Sequence, residues 1–294
     1  MRFGLITPIV TLVPRRHATW EAAAGVADLR RIAETADRLG YAHLTCSDHV
    51  AIPLEIAKVR GGRYYDPFAT LGFLAAVTQR LQLVTHVLVL PYYHPLEVAK
   101  RLGTLDQLSG GRVVAGVGVG SLREEFDLLG VDFESRGARY EDALRALRAA
   151  LGTPRPSYSG SHFSFHGLLV DPCAAQAQMP IWLGGRTPRS LRRALIFADG
   201  WDPFGFSHAQ LSSLLQRARH WPEWQQRATP LELIFAPERL IDLSTSDQVP
   251  QVIDMIASYK ALGAAALNLQ FRSTSLGHFL DQLETFMTKV APRF

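Results

Sequence analysis

Short apolar runs and amphipathic stretches take turns along this chain. Phe3 to Ile6 is apolar and is stopped by Pro8, which marks a short buried strand. Val26 to Leu39 places Val26, Leu29, Ile32, Ala33, Ala36 and Leu39 near one helical face and ends at Gly40, a residue suited to a helix C-terminus. His43 to Ser47 reads as a strand, and Pro67 to Val77 as a helix. Leu83 to Leu90 reads as a strand apolar on both faces, which suits parallel pairing under covering helices. The alternation continues with a helix over Pro95 to Leu108, a strand over Val113 to Val117 and an amphipathic helix over Arg139 to Leu151. Beyond an insertion around residues 157–180, strands are predicted at Ile181 to Leu183, Gly200 to Asp202, Leu231 to Ala236 and Ala265 to Leu269. Helices at Pro188 to Phe197, Leu211 to Arg219, Val249 to Leu262 and Leu276 to Val290 follow them in turn.

About eight strand–helix units in 294 residues predict an α/β protein, a (β/α)8 TIM barrel, built as a single domain over residues 1–294. Strands six and seven have the shortest support, and Trp221-Pro222-Glu223-Trp224 reads as a loop. No low-complexity linker or short-period repeat interrupts the pattern.

Composition narrows the class. With 47% hydrophobic and 20% charged residues the chain is neither disordered nor fibrous. The net charge of +4 is spread without a long basic run, which argues against a nucleic-acid partner. Cys46 and Cys173 form no CxxC pair and no cysteine-rich metal site, so a reducing compartment is expected. No run reaches about 18 apolar residues, and the opening residues lack a signal-peptide pattern, so the reading is cytoplasmic with no membrane partner.

In such a barrel the loops at the C-terminal ends of the strands build the active site. Asp48-His49 follows strand two, where His49 suits general acid–base work and Asp48 either joins it or serves as a structural cap. His86 interrupts an apolar strand and requires a hydrogen-bond partner or a ligand, while His94 starts the next helix in a positioning role. Gly116-Val117-Gly118-Val119-Gly120 lacks the spacing of a dinucleotide fingerprint. Its glycines allow either close approach of a flat ring or close packing in the barrel. Gly184-Gly185-Arg186-Thr187-Pro188 joins a strand end to a helix start beside a guanidinium, which suits a phosphate as well as a plain tight turn. The chain contains no HExxH, GxSxG or P-loop motif, so metal-dependent hydrolysis, Ser-His-Asp chemistry and phosphoryl transfer lack a sequence signature.

Several fragments follow one another in a specific order: Ala33-Glu34 to Gly40-Tyr41, Ser47-Asp48-His49-Val50, Asp66-Pro67-Phe68, Val87-Leu88-Val89-Leu90-Pro91 and His94-Pro95. Leu105-Asp106-Gln107-Leu108-Ser109-Gly110-Gly111-Arg112, Glu124-Glu125-Phe126, Arg136-Gly137-Ala138-Arg139 and Pro180-Ile181-Trp182-Leu183-Gly184-Gly185 complete it. Over about residues 2–203 this order resembles the bacterial luciferase-like oxidoreductases, in particular their coenzyme F420-dependent branch.

The resemblance implies the same barrel, and either hydride transfer with the deazaflavin F420 or, as the alternative, oxygen insertion with reduced FMN, on a small organic substrate. It implies a ring seated at the barrel mouth, with a non-proline cis peptide and bulge near His86-Val87. Cofactor contacts would come from Asp48, His86, Val87, Leu88, Gly118, Val119, Gly120, Ser121, Gly184, Gly185 and Arg186, the last three near the phosphate. His49 and Asp48 would be catalytic, Tyr92 and Trp201 would wall the substrate side, and no metal would be needed. Pro53 and Ser121 depart from the tryptophan and acidic residue of the family's sugar-phosphate dehydrogenases, which makes glucose-6-phosphate a poor substrate candidate. Family members often form homodimers through barrel helices.

Overall fold

The computed structural model describes residues 1–294, and eight parallel staves close into a barrel at the predicted places. They are β1 (Arg2–Leu5), β2 (His43–Cys46), β3 (Gln82–Thr85, continuing at Leu88–Val89), β4 (Val113–Gly118), β5 (Ile181–Gly185), β6 (Gly200–Pro203), β7 (Glu232–Phe235) and β8 (Ala266–Leu269). Closure is through β1, which pairs with β2 at Leu5 and Leu44 and with β8 from Arg2–Ala266 to Leu5–Leu269. The covering helices are α1 (Val26–Leu39), α2 (Pro67–Val77), α3 (Pro95–Ser109), α4 (Arg136–Ala150), α5 (Pro188–Phe197), α6 (His208–Ala218), α7 (Gln248–Ala261) and α8 (Leu276–Thr285).

Several departures from the expected elements have a local cause. The apolar run Leu83 to Leu90 is one stave in two pieces. Four residue steps from Val84 to Leu88 face three from Val114 to Val117 on β4, so one extra residue bulges out, and the His86-Val87 peptide within it is cis. Helix α6 begins three residues before Leu211 because Ser207 caps it, accepting from the Gln210 N–H while Gln210 returns a bond to the Ser207 N–H. Pro222 opens a short helix, Pro222–Gln225, where a loop is expected. The insertion carries a small antiparallel hairpin, Tyr158–Ser159 with Ser164–Phe165. It is tied to α4 by Asp142, which accepts from the Tyr158 hydroxyl at 2.6 Å and the Phe163 N–H at 2.9 Å.

Two apolar cores follow from the strand pleat. The larger lies between strands and helices and includes Leu5, Leu44, Leu183, Leu267 and Phe286. A separate cluster of Val84, Val114, Trp182, Ile234 and Ala266 fills the barrel interior. Asp106 and Arg112 of the Leu105–Arg112 fragment serve this scaffold. The buried Asp106 carboxylate accepts from the Val113 and Gln176 N–H groups, and the Arg112 guanidinium donates to the carbonyls of Ala75, Thr78 and Leu81.

Candidate active site

The loop leaving β2 is held over the barrel by buried carboxylates. Asp48 accepts from the Val89 N–H at 2.9 Å and the Tyr93 hydroxyl at 3.2 Å, tying the second and third staves to the start of α3. It is 4% exposed, and burial pushes its carboxyl up to about 6 against the pull of those hydrogen bonds.

His49 lies beside a second carboxylate. Its Nδ1 is 2.6 Å from Oε2 of Glu125, which stands on the short helix Arg123–Leu128 beyond β4. Glu125 also accepts from the Val50 N–H at 2.7 Å, the Ala51 N–H at 3.2 Å and the Tyr92 hydroxyl at 3.0 Å. Burial opposes its charge, yet the bond to His49 and the two N–H groups hold it below the usual glutamate range. The Nε2 of His49 makes no hydrogen bond within the protein, and the side chain is 18% exposed. Its ring meets Tyr64 edge-on at 4.5 Å.

The barrel floor carries a third polar group. His86 Nε2 lies 3.2 Å from Asp202 on β6. Asp202 accepts from the Asn268 amide at 2.9 Å, and Asn268 on β8 reaches His43 on β2 at 2.6 Å. These staves are not neighbours, so the chain of contacts runs through the barrel interior. Gly4 on β1 leaves the room: a Cβ there would lie 2.1 Å from His43 Nε2.

At the end of β5, Gly185 has φ +145°, where a Cβ would lie 2.4 Å from Ser190 Cβ. Thr187 caps α5, and Arg186 and Arg189 beside it are exposed and unpaired. Two free guanidiniums at the N-terminus of a full-length helix form a donor set that fits a phosphate.

Several expected contacts fall elsewhere. Trp201 does not wall the mouth: it is fully buried, and its indole N–H donates to Ser190 Oγ at 3.1 Å in the helix layer. The pleat explains this, since Asp202 takes the inward position next to it. Leu88 likewise sits in the core between strands and helices, so its side chain faces away from the floor. Gly118 and Gly184 are covered by Val87, whose methyl groups would be 2.6 and 2.7 Å from a Cβ at either position. Their lack of a side chain serves packing, and Val87 is the half-buried surface above them. Gly120 gives way to Phe126 and Val89, and Val119 is half-buried. Ser121 is exposed and accepts from the Arg60 guanidinium at 3.3 Å. His94 caps α3 by accepting from the Leu96 N–H at 3.2 Å. Tyr92 stays by the His49–Glu125 pair, and burial together with Glu125 raises its phenol above the ordinary value.

Sequence reasoning placed no role on Glu125, Asp202, Asn268 or His43. Asp202 and Asn268 were legible only as polar positions inside strands, a signal that short apolar runs obscure. No group of three or more His, Cys, Asp or Glu side chains could hold a metal ion, and no helix is long and apolar enough to cross a membrane.

Residues 1–264 match the model of the luciferase-like monooxygenases. The chain belongs to this family. As a luciferase-like protein it is an oxidoreductase, and the resemblance read from the ordered fragments holds at family level. An uncharacterized Mycobacterium bovis protein is 32% identical over 221 residues, covering 69% of this chain and 74% of its own. The monooxygenase RslO1 of Streptomyces bottropensis shares the fold with a TM-score of 0.81 at 21% identity, covering 100% of this chain and 99% of its own. An F420-dependent secondary alcohol dehydrogenase, solved with an F420-acetone adduct, superposes with a TM-score of 0.74 at 14% identity, covering 99% and 98%. The oxygenating constituent of 3,6-diketocamphane monooxygenase from Pseudomonas putida, in complex with FMN, has a TM-score of 0.78 at 13% identity, covering 100% and 98%.

Proposed function

We propose that this luciferase-like oxidoreductase works with coenzyme F420 and transfers hydride to or from an oxygen-bearing carbon of a small organic substrate. The observation that carries the reading is the His49–Glu125 pair at 2.6 Å, with the second imidazole nitrogen free at the barrel mouth. When bound, the deazaflavin supplies or accepts the hydride, chemistry that no side chain of this chain provides. A carbonyl oxygen that becomes an alcohol must gain a proton as its carbon gains hydride. His49 Nε2 is the group that holds that proton, or removes it in the reverse direction. Glu125, anchored by two backbone N–H groups, fixes the tautomer and steadies the imidazolium. Arg186, Arg189 and the start of α5 would hold the phosphate, with Val87 as the surface beneath the ring. Asp48 positions the β3 continuation and the His49 loop.

A reduced-FMN monooxygenase is the second reading, favoured by the higher fold similarity to a Streptomyces monooxygenase, TM-score 0.81 against 0.74 for the alcohol dehydrogenase. Fluorescence titration with F420 and FMN in both redox states separates the two. Tight F420 binding with oxygen-independent turnover is the expected result. Tight binding of reduced FMN with oxygen uptake, and weak F420 binding, selects the second reading.

A further inference from the structure

His86 is not an isolated core histidine. Its Nε2 lies 3.2 Å from Asp202 Oδ2, and the Asn268 amide nitrogen is 3.4 Å from the same ring nitrogen. Its Nδ1 has no partner in the protein, and the side chain is 17% exposed beside the half-buried Val87. Asp202 is 1% exposed, and its Oδ2 accepts no aligned hydrogen bond; the nearest cationic nitrogen is His86 Nε2 at 3.2 Å. A buried carboxylate oxygen with no donor of its own favours a proton on the imidazole that faces it. As with His49 and Glu125, a buried carboxylate faces one ring nitrogen and the other has no partner in the protein.

We propose that His86, backed by Asp202, is a second proton-bearing group of the site, presenting an Nδ1–H from the barrel floor to an anionic oxygen or basic nitrogen of the bound molecule. In the transfer the Nδ1–H bond breaks and its electron pair stays on the ring. The proton bonds to the acceptor, while Nε2–H remains against Asp202, and solvent through the open mouth restores the proton. Asp202 and Asn268 are positioning residues, since they act through His86. The groups facing His86 are Asp202 from β6 and, behind the neutral Asn268 of β8, His43 from β2. The flanking β4, Val113–Gly118, contributes no titratable group. Burial opposes the charge on His86, but Asp202 outweighs it and raises the imidazole above the ordinary value, whereas burial lowers His43 to about 4 and keeps it neutral.

The proposal deepens the functional reading above, but its first test needs no cofactor. In the ligand-free protein, imidazole carbon–proton NMR over a pH series should show His86 titrating above the ordinary histidine value. Asp202→Asn should lower that midpoint by about 1–3 pH units. A wild-type His86 that titrates below the ordinary value overturns the proposal, even if the variant fails to fold. So does an Asp202→Asn midpoint unchanged from wild type. The second test is the pH profile of kcat/KM with whichever redox cofactor the protein binds. His86→Gln should lower kcat/KM by about 100-fold and remove one ionisation that His49→Asn leaves in place. Equal profiles for wild type and His86→Gln would reduce His86 to packing. Failure of F420 binding alone, with the titration as expected, would strike the functional reading and leave this pair intact.

Discussion

Asp48 shows how a buried acid couples stability to pH. Its folded value of about 6 lies above the ordinary 3.8, so the fold binds a proton there more tightly than the unfolded chain. The stabilisation from that proton is complete below about pH 4 and is lost as pH rises through 6, a span worth about 3 kcal/mol. Asp48→Asn stays neutral throughout and still offers an oxygen to the Val89 N–H. Urea melts across this range should show wild-type stability falling by about 3 kcal/mol relative to the variant. Parallel curves would mean that Asp48 is charged in the fold. Glu125 has the opposite sign: its lowered value contributes stability that is lost as pH falls through it. Glu125→Gln keeps an acceptor for Val50 and Ala51 but removes the charge behind His49. Turnover should fall by about 10- to 100-fold with a stability loss of about 1–3 kcal/mol, read by steady-state kinetics and melting.

At the scale of elements, the bulge and its glycines form one packed unit. Val87 occupies the space that side chains at Gly118 and Gly184 would take, 2.6 and 2.7 Å from their notional Cβ atoms. Gly118→Ala should therefore destabilise the barrel by about 1–3 kcal/mol, and adding Val87→Ala should restore part of the loss. Additive losses in a double-mutant cycle would separate the two positions. The helices α1, α2 and α5 were legible to the residue, because α1 is bounded by Gly40 and the other two open on a proline. The start of α6 was not, since Ser207 and Gln210 act through side-chain capping and not through apolar period. The bulge was legible only by resemblance, because Leu83 to Leu90 reads as one strand with a single polar residue, His86, inside it. Trp201 was misplaced for a related reason: the polar inward position beside it belongs to Asp202, whose partners on β3 and β8 are distant in sequence.

For the whole molecule, closure depends on the two chain ends meeting. Phe286, where α8 passes into a wider turn, meets Phe3 at 5.0 Å and Phe271 at 5.8 Å, and the Tyr41 hydroxyl donates to the Leu283 carbonyl. Phe286→Ala should cost about 3–5 kcal/mol, measured by denaturant melting, because it opens a cavity under the β1–β8 seam. The closed barrel itself was legible from alternation, and it brings the β2, β3, β4 and β5 turns to one end. What alternation could not give is which polar groups meet across the interior, since that depends on register around the ring. The most direct measurement is a crystal structure of the protein with F420. The account predicts the ring against Val87 between His49 and His86, with the phosphate at Arg186 and the start of α5. A phosphate bound instead beside Arg239, in the cleft of about 390 Å³ between the β7–α7 connection and α7, would contradict it.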